Sequence, residues 1–414
     1  MFKPHDVRPL FPALERLQHG EPVVYLDGPG GTQTPRTVSA AMAGVLDRGI
    51  SNLGGNFATS RDADEITDAA RRAIADLINA TPAEIAFGQN MTSLTFAVSR
   101  ALARTWQPGD EIVVTRLDHD ANITPWVMAA EEREVTVRWL DFLPEHGHDL
   151  DYAALDGLLT EKTRLVAVTH ASNAVGTVVD VPRVVEASHA VGARVFVDAV
   201  HYTPHRLVDV EAMGCDFLVA SAYKFFGPHT GFLYGRHELL AELEAYKVRP
   251  APAEPPGKWE TGTQSFESLA GVSAAVEYLA SLGSPSTGEV SRRVAIRSGM
   301  EAIEIHERRL TDAFLSAALS LGGVTVYGPT MPGANRTPTF AVDVAGLTAA
   351  EVQRALGEGG IFVWSGHYYA VEVMRRLGVL ESGGLVRIGF VHYNTSEELA
   401  RVVNALDELS QSGT

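Results

Sequence analysis

Residues 195–228 read VFVDAVHYTPHRLVDVEAMGCDFLVASAYKFFGP. Two short apolar runs, VFV and FLVA, are rich in β-branched and aromatic residues and bounded by polar ones, which is the pattern of buried strands. The segment between them has room for one connection. Each run ends on residues of chemical interest: Asp198 and His201 after the first, Ser221, Tyr223 and Lys224 after the second.

Further out in both directions the same alternation continues. EIAFG precedes a helical stretch TSLTFAVSRALARTW; EIVVTR precedes NITPWVMAAEERE; then come VTVRWLDF, RLVAVTH with VPRVVEASHAVG, and GFLYGR. Strands alternating with helices predict an α/β fold with a mostly parallel sheet covered by helices. In such sheets ligands bind beyond the carboxyl ends of the strands. The segment KVRPAPAEPPGKWETGTQ (247–264) is too rich in Pro and Gly for regular structure and reads as a long loop, a common place for function. A second break, LGSPSTGE (282–289), precedes a helix expected from about Val290 to Leu321. The runs VTVYG, TPTFAVDV and GLVRIGF then alternate with two helices. We therefore expect a large domain over 15–283 and a smaller α/β domain over 284–414, the latter joined by the N-terminal segment 1–14.

The chain has 414 residues, 45% of them apolar and 21% charged, as in ordinary globular proteins. A net charge of −17 repels polyanions, so a small-molecule substrate is expected and a nucleic-acid partner is not. No apolar run is long enough to cross a membrane, and the N-terminal stretch lacks a secretory h-region, so a cytoplasmic address is expected. One cysteine, Cys215, and no Cys/His cluster leave no expected disulfide or metal site. Cys215 opens a core strand, where cysteine is commonly a small buried hydrophobe.

At three neighbouring strand ends stand an amide (Asn173), a carboxylate (Asp198) and an amine (Lys224). A phosphorylated pyridine aldehyde needs these types: an anion to keep its ring nitrogen protonated, donors for its phenolate oxygen, and an amine to bond to its aldehyde carbon. Taken singly, Asp198 could be a cap or turn former and Lys224 a surface residue. SAYKFFGP, however, sets the lysine between aromatics, where desolvation favours the neutral, nucleophilic amine. The phosphate needs backbone N–H groups at a helix start, which GQNMTSLTF supplies near Met91 and Thr92, although Thr92 and Ser93 also suit ordinary caps. There is no GxGxxG after a strand and no GxxxxGK[ST].

Together, YLDGPGGTQTP (25–35), GDEIVVTRLDHDANITPW (109–126), THASNAVGTVVDV (169–181), the stretch 195–228, ETGTQ (260–264) and VRIGFVHYNTSEE (386–398) resemble the cysteine desulfurase and selenocysteine lyase branch of the class V aminotransferases. The resemblance implies pyridoxal 5'-phosphate (PLP) as cofactor, the aspartate aminotransferase-like fold (fold-type I) with a seven-stranded-type sheet, and a homodimer with active sites at its interface. It implies that Lys224 bonds to the cofactor, Asp198 pairs with the ring nitrogen and His119 stacks on the ring. Thr92, His201, Ser221, Tyr223 and Asn173 match phosphate or phenolate contacts. Thr263 matches a threonine reaching the neighbouring subunit's phosphate, and Arg387 the arginine that grips the substrate carboxylate, as a planar guanidinium can. Tyr223 stands where desulfurases usually have histidine, and His201 where many have glutamine. In desulfurases a loop carries an arginine and, after Thr-Gly-His-His, a cysteine that takes sulfur as a persulfide. Here Trp364, His367, Tyr368 and Tyr369 form that loop, with Trp364 at the arginine position and Tyr369 at the cysteine position. The expectation is a PLP enzyme acting on a small amino acid or amino-acid conjugate, first a C–S (or related β/γ) lyase, alternatively an aminotransferase or an epimerase or racemase. From another class, a catalytically silent PLP-binding regulatory subunit would not need Lys224, Asp198, His119 and Arg387 together.

Overall fold

Seven apolar runs assemble into one sheet in the structure, a computed structural model that describes residues 2–283 and 290–412. Its strands are β1 (Ile85–Gly88), β2 (Glu111–Thr115), β3 (Thr136–Leu140), β4 (Thr163–Thr169), β5 (Arg194–Asp198), β6 (Phe217–Ser221) and β7 (Gly231–Gly235). They lie in the order β1-β7-β6-β5-β4-β2-β3, with β7 antiparallel to both neighbours and the remaining pairs parallel. Both faces are covered, which is why these strands read as continuous apolar runs. The two-residue period of a strand sorts their side chains into two cores. Val113, Val195, Val197, Leu218 and Ala220 enter one, and Ile112, Val114, Phe196, Phe217 and Val219 the other.

Helices Arg36–Arg48, Ala58–Ile78 and Phe266–Ser281 pack together on the first face. None of the three was expected from the sequence. Helix Met91–Ala103 starts at Asn90, whose side chain accepts from Ser93 N at 2.9 Å, and it faces the second core. Residues 247–264 are irregular apart from one turn, Gly257–Trp259.

A four-stranded antiparallel sheet follows, of β8 (Val324–Tyr327), β9 (Thr339–Val344), β10 (Trp364–Gly366) and β11 (Leu385–Gly389), ordered β8-β9-β11-β10. Its core centres on Phe314, Phe340, Val342, Ile388 and Val402. The long helix before it runs Arg292–Ala318, shorter at both ends than expected. Residues 284–289 of the expected break, and with them the expected domain boundary, lie outside the described residues. The N-terminal segment joins this C-terminal part well past residue 14. Val24–Tyr25 pair in parallel with Ile361–Phe362, Asn394 Nδ2 donates to Tyr25 O at 3.0 Å, and Arg8 meets Glu398 at 2.8 Å. Among the described residues no helix is long and apolar enough to cross a membrane.

Candidate active site

β4, β5 and β6 are adjacent and parallel, so the residues following them converge at one edge of the sheet. Lys224 closes a single 3-10 turn directly after β6. Its Nζ donates to the carbonyl of Pro29 and lies 4.8 Å from the centre of the Tyr223 ring. Burial pulls the lysine pKa down to about 7; the charge of Arg387 lowers it further, while Asp198 and Asp27 oppose the shift. Much of this amine is therefore neutral at pH 7. Pro29 belongs to the turn Gly28-Pro29-Gly30-Gly31, which is pinned against the lysine turn: Thr32 N donates to Tyr223 O at 3.1 Å, and Phe226 N to Thr32 Oγ1 at 2.9 Å.

Asp198 ends β5 and is 3% exposed. Burial raises its pKa to about 6 against the opposing hydrogen bond from Val200 N (2.9 Å) and the charge of Lys224. Behind it Asp118 is fully buried, held by the Thr115 hydroxyl and by Asn122 Nδ2 at 2.6 Å. Burial, with the nearby Asp198 adding to it, takes the Asp118 carboxyl up to about 8. His119, next in the chain, accepts from Ala121 N at Nδ1 (3.0 Å), and burial drives its pKa down to about 3, so its ring is neutral. That ring stacks on Tyr369 with centroids 5.5 Å apart.

Ser221 Oγ accepts from Met91 N at 3.0 Å, which fastens the end of β6 to the start of helix Met91–Ala103. The Thr92 hydroxyl sits 3.4 Å from Met91 Sδ. Asn173 donates from Nδ2 to Tyr368 O at 3.0 Å, its backbone carbonyl accepts from Arg387 Nη1 at 3.1 Å, and its Oδ1 is buried with no partner. The Arg387 guanidinium lies 4.6 Å over the Tyr368 ring, with Nε buried and unpaired. Burial lowers the Arg387 pKa to about 10, and the guanidinium remains a cation. Asp27 faces the same space, also with an unpaired oxygen, Oδ1, and burial raises it to about 6.

The segment from Trp364 to Tyr369 borders this group. Tyr368 and Tyr369 both adopt left-handed backbone, at φ 52° and 58°. Tyr368 is buried and donates its hydroxyl to Leu385 O; Tyr369 is 67% exposed, its carbonyl accepts from Asp120 N at 2.6 Å, and its N–H donates to His367 Nδ1 at 3.1 Å. Glu372, just beyond, ion-pairs with Arg116. A buried cation, Arg336, straps the Asn173 loop to β9 by donating to the carbonyls of Pro329, Thr337, Val175 and Thr339.

Lys224, Asp198, His119, Asn173, Arg387, Tyr368 and Tyr369 thus form one connected group. His201 is buried at its margin, with Nε2 3.1 Å from Thr337 Oγ1. Thr263 is on the surface, where its hydroxyl accepts from Asn52 Nδ2 at 3.4 Å, and is not in that group. Cys215 is fully buried, and burial pushes its thiol up to about 12. Sequence reasoning gave no role to Asp27, Pro29 or Asp118. An acidic residue and a Gly-Pro-Gly-Gly turn directly after the apolar VVYL were the available signal for the first two. Asp118 had none beyond its place before His119. The ensemble offers a largely neutral amine able to attack a carbonyl carbon, a carboxylate facing it, and a guanidinium with an open edge.

The family model for class V aminotransferases matches residues 24–402. The aminotransferase-like protein FGM3 of Gibberella zeae is 33% identical over 98% of each chain. A cysteine desulfurase of Dickeya dadantii is 32% identical over 97% of this chain and 96% of its own. The apo structure of a cysteine desulfurase from Thermococcus onnurineus superposes with a TM-score of 0.87, at 27% identity, over 100% of this chain and 99% of the other.

Proposed function

The chain belongs to the class V aminotransferase family, and on that premise we propose that it is a PLP-dependent enzyme that cleaves a small amino acid or amino-acid conjugate at a C–S bond without forming a persulfide. The observation that carries this reading is the Lys224 amine, buried just past the end of β6 in one group with Asp198, His119 and Arg387, where burial lowers its pKa to about 7.

The donor set fits the cofactor. Asp198 supplies an anion for a protonated pyridine nitrogen, Asn173 Nδ2 spends one N–H on Tyr368 O and has a second to donate, and helix Met91–Ala103 begins beside Ser221 with its N–H groups. Lys224 would bond to the aldehyde, with Asp198 on the ring nitrogen and His119 against the ring. Asn173, His201, Ser221 and Tyr223 with Met91 and Thr92 would serve the phenolate and phosphate. When bound, PLP supplies an electron sink that makes the substrate α-hydrogen acidic. Arg387 binds the substrate carboxylate at its open edge and fixes the α-carbon beside Lys224. Lys224 Nζ, as the largely desolvated base beside the α-carbon, would take the α-proton and hold it for return. Because burial keeps His119 neutral, it adds no charge that would oppose proton transfer to Lys224. The resulting Lys224 ammonium could pass that proton to the sulfur leaving the β-carbon, so release of a thiol would call on no cysteine.

Neither the Trp364–Tyr369 loop nor any residue near it carries a thiol, and Cys215 is buried with its pKa raised. A homodimer accords with the exposed Leu46, Leu53, Phe57, Tyr246 and Val248, of which Leu53 and Phe57 lie close in sequence to Asn52, the partner of Thr263. In that assembly Thr263 would reach the phosphate of the second copy.

The test incubates purified protein and PLP with L-amino acids and S-substituted cysteines, with and without 2-oxoglutarate as amino acceptor, following thiol, keto acid and enantiomer. Thiol with keto acid and ammonia is the expected result. Keto acid without thiol assigns an aminotransferase, which FGM3's description favours; inversion of the substrate assigns an epimerase. No turnover of any kind, despite bound PLP, assigns a regulatory subunit.

A further inference from the structure

β10 and β11 run antiparallel with Trp364 directly opposite Arg387. Side chains of directly opposed residues leave the sheet on the same face, about 5 Å apart at Cβ. The indole therefore leaves the sheet on the same face as the guanidinium that the reading above assigns to the substrate carboxylate. The indole's close neighbour is the glycine turn. A Cβ built on Gly30 would stand 2.4 Å from the indole Nε1 and 2.8 Å from Cδ1. Gly30 is not among the positive-φ glycines, so backbone conformation does not demand a glycine there. The indole does. The residue before it, Pro29, holds Lys224 Nζ, and a Cβ built on the residue after it, Gly31, would stand 3.4 Å from the Tyr223 ring.

From this placement we infer that Gly30 and Trp364 act as one specificity element for the substrate side chain, selecting apolar or aromatic groups and rejecting anionic ones. The inference rests on the assignment of Lys224 and Arg387 to the substrate. An amino acid held at its carboxylate by Arg387 and at its amine by Lys224 has its α-carbon between the two. Its side chain then leaves beside Trp364, which is 51% exposed and offers a flat apolar surface. An ionised side-chain carboxylate set on that surface gives up water and gains no counter-charge from the indole. Gly30 contributes by leaving room: a methyl group there displaces the indole, with no change in backbone conformation needed.

The test measures dissociation constants of L-norleucine, L-phenylalanine and L-glutamate from the holoenzyme by perturbation of cofactor absorbance, together with kcat/KM on any substrate turned over. Wild type is expected to favour the two apolar ligands over glutamate. Trp364→Ala should shrink that preference about tenfold, Gly30→Ala should shrink it similarly, and the double variant should lose no more than either alone. Trp364→Phe should keep most of it. Should Gly30→Ala fail to fold, the two Trp364 variants, which retain the glycine, decide the matter. An unchanged preference in Trp364→Ala, or effects that add in the double variant, overturns the inference while Lys224 still holds PLP. A wild type that takes up no PLP overturns the functional reading and this inference with it.

Discussion

Lys224 and Asp198 illustrate how much a single residue can disclose in sequence. Each directly follows a run of fully buried strand residues, a place where a charged side chain needs a reason to be. Asp27 and Asp118 were opaque, because what makes them unusual is burial, and the groups packed around them come from far along the chain: Arg387 and Lys224 near the one, Asp198 and Thr169 near the other. In the cofactor-free protein, acylation of Lys224 followed by mass spectrometry should rise with pH to a midpoint near 7, not near 10.5. Arg387→Gln should move that midpoint upward, since the guanidinium charge helps hold it down; a wild-type midpoint near 10 would refute the burial argument. Asp118 makes the opposite kind of prediction. Its folded pKa of about 8 lies above the ordinary 3.8, so the folded state binds more protons between those values and this contribution to stability is lost as pH rises from about 4 to about 8. Asp118→Asn should flatten the fall in denaturant midpoint across that window. An identical slope in the variant would show that another group titrates there.

Strands and loops divide along the same line. All seven strands of the main sheet were legible because burial on both faces fills them with short runs of apolar residues, many of them β-branched or aromatic. β10 was not, since Trp364-Ser365-Gly366 is three residues long and is defined by its pairing with β11 alone. The Asn173 loop is a second case. Its proximity to β9 depends on Arg336, whose carbonyl partners span residues 175 to 339. Gly176 lies inside that strap at φ 80°, where a Cβ would meet Thr339 O at 2.5 Å. Gly176→Ala should therefore cost roughly 2 to 4 kcal/mol in urea unfolding; a loss under about 0.5 kcal/mol would mean that the strap yields easily. The Trp364–Tyr369 loop makes a chemical prediction. With L-cysteine and a reductant, little sulfide or alanine is expected from wild type, and Tyr369→Cys should add little, because Trp364 and Tyr368 provide none of the positive surroundings that lower a thiol pKa. Desulfurase-level turnover abolished by Cys215→Ser would refute this and the inert role of Cys215 alike.

For the molecule as a whole, the proposed homodimer, with Thr263 reaching the second copy's phosphate, would couple PLP binding to association. Added PLP should raise the Tm, the Tm should increase with protein concentration, and borohydride should fix the cofactor on Lys224 and not on Lys224→Ala. A monomer whose Tm ignores PLP would remove the Thr263 assignment. The general α/β plan was legible from the alternation of runs, whereas the attachment of the N-terminal limb past residue 14 was not, because VVYL reads like any other short apolar run. That limb also sets a timetable for synthesis. Tyr25 receives its hydrogen bond from Asn394, 369 positions later, so at ribosomal speeds the limb waits on the order of tens of seconds for its partner. Until Ile361–Phe362 is made, Val24–Tyr25 is an unpaired edge open to other chains. A nascent chain stalled before Ile361 should then be far more prone to aggregate, and to need chaperone cover, than one stalled after Asn394.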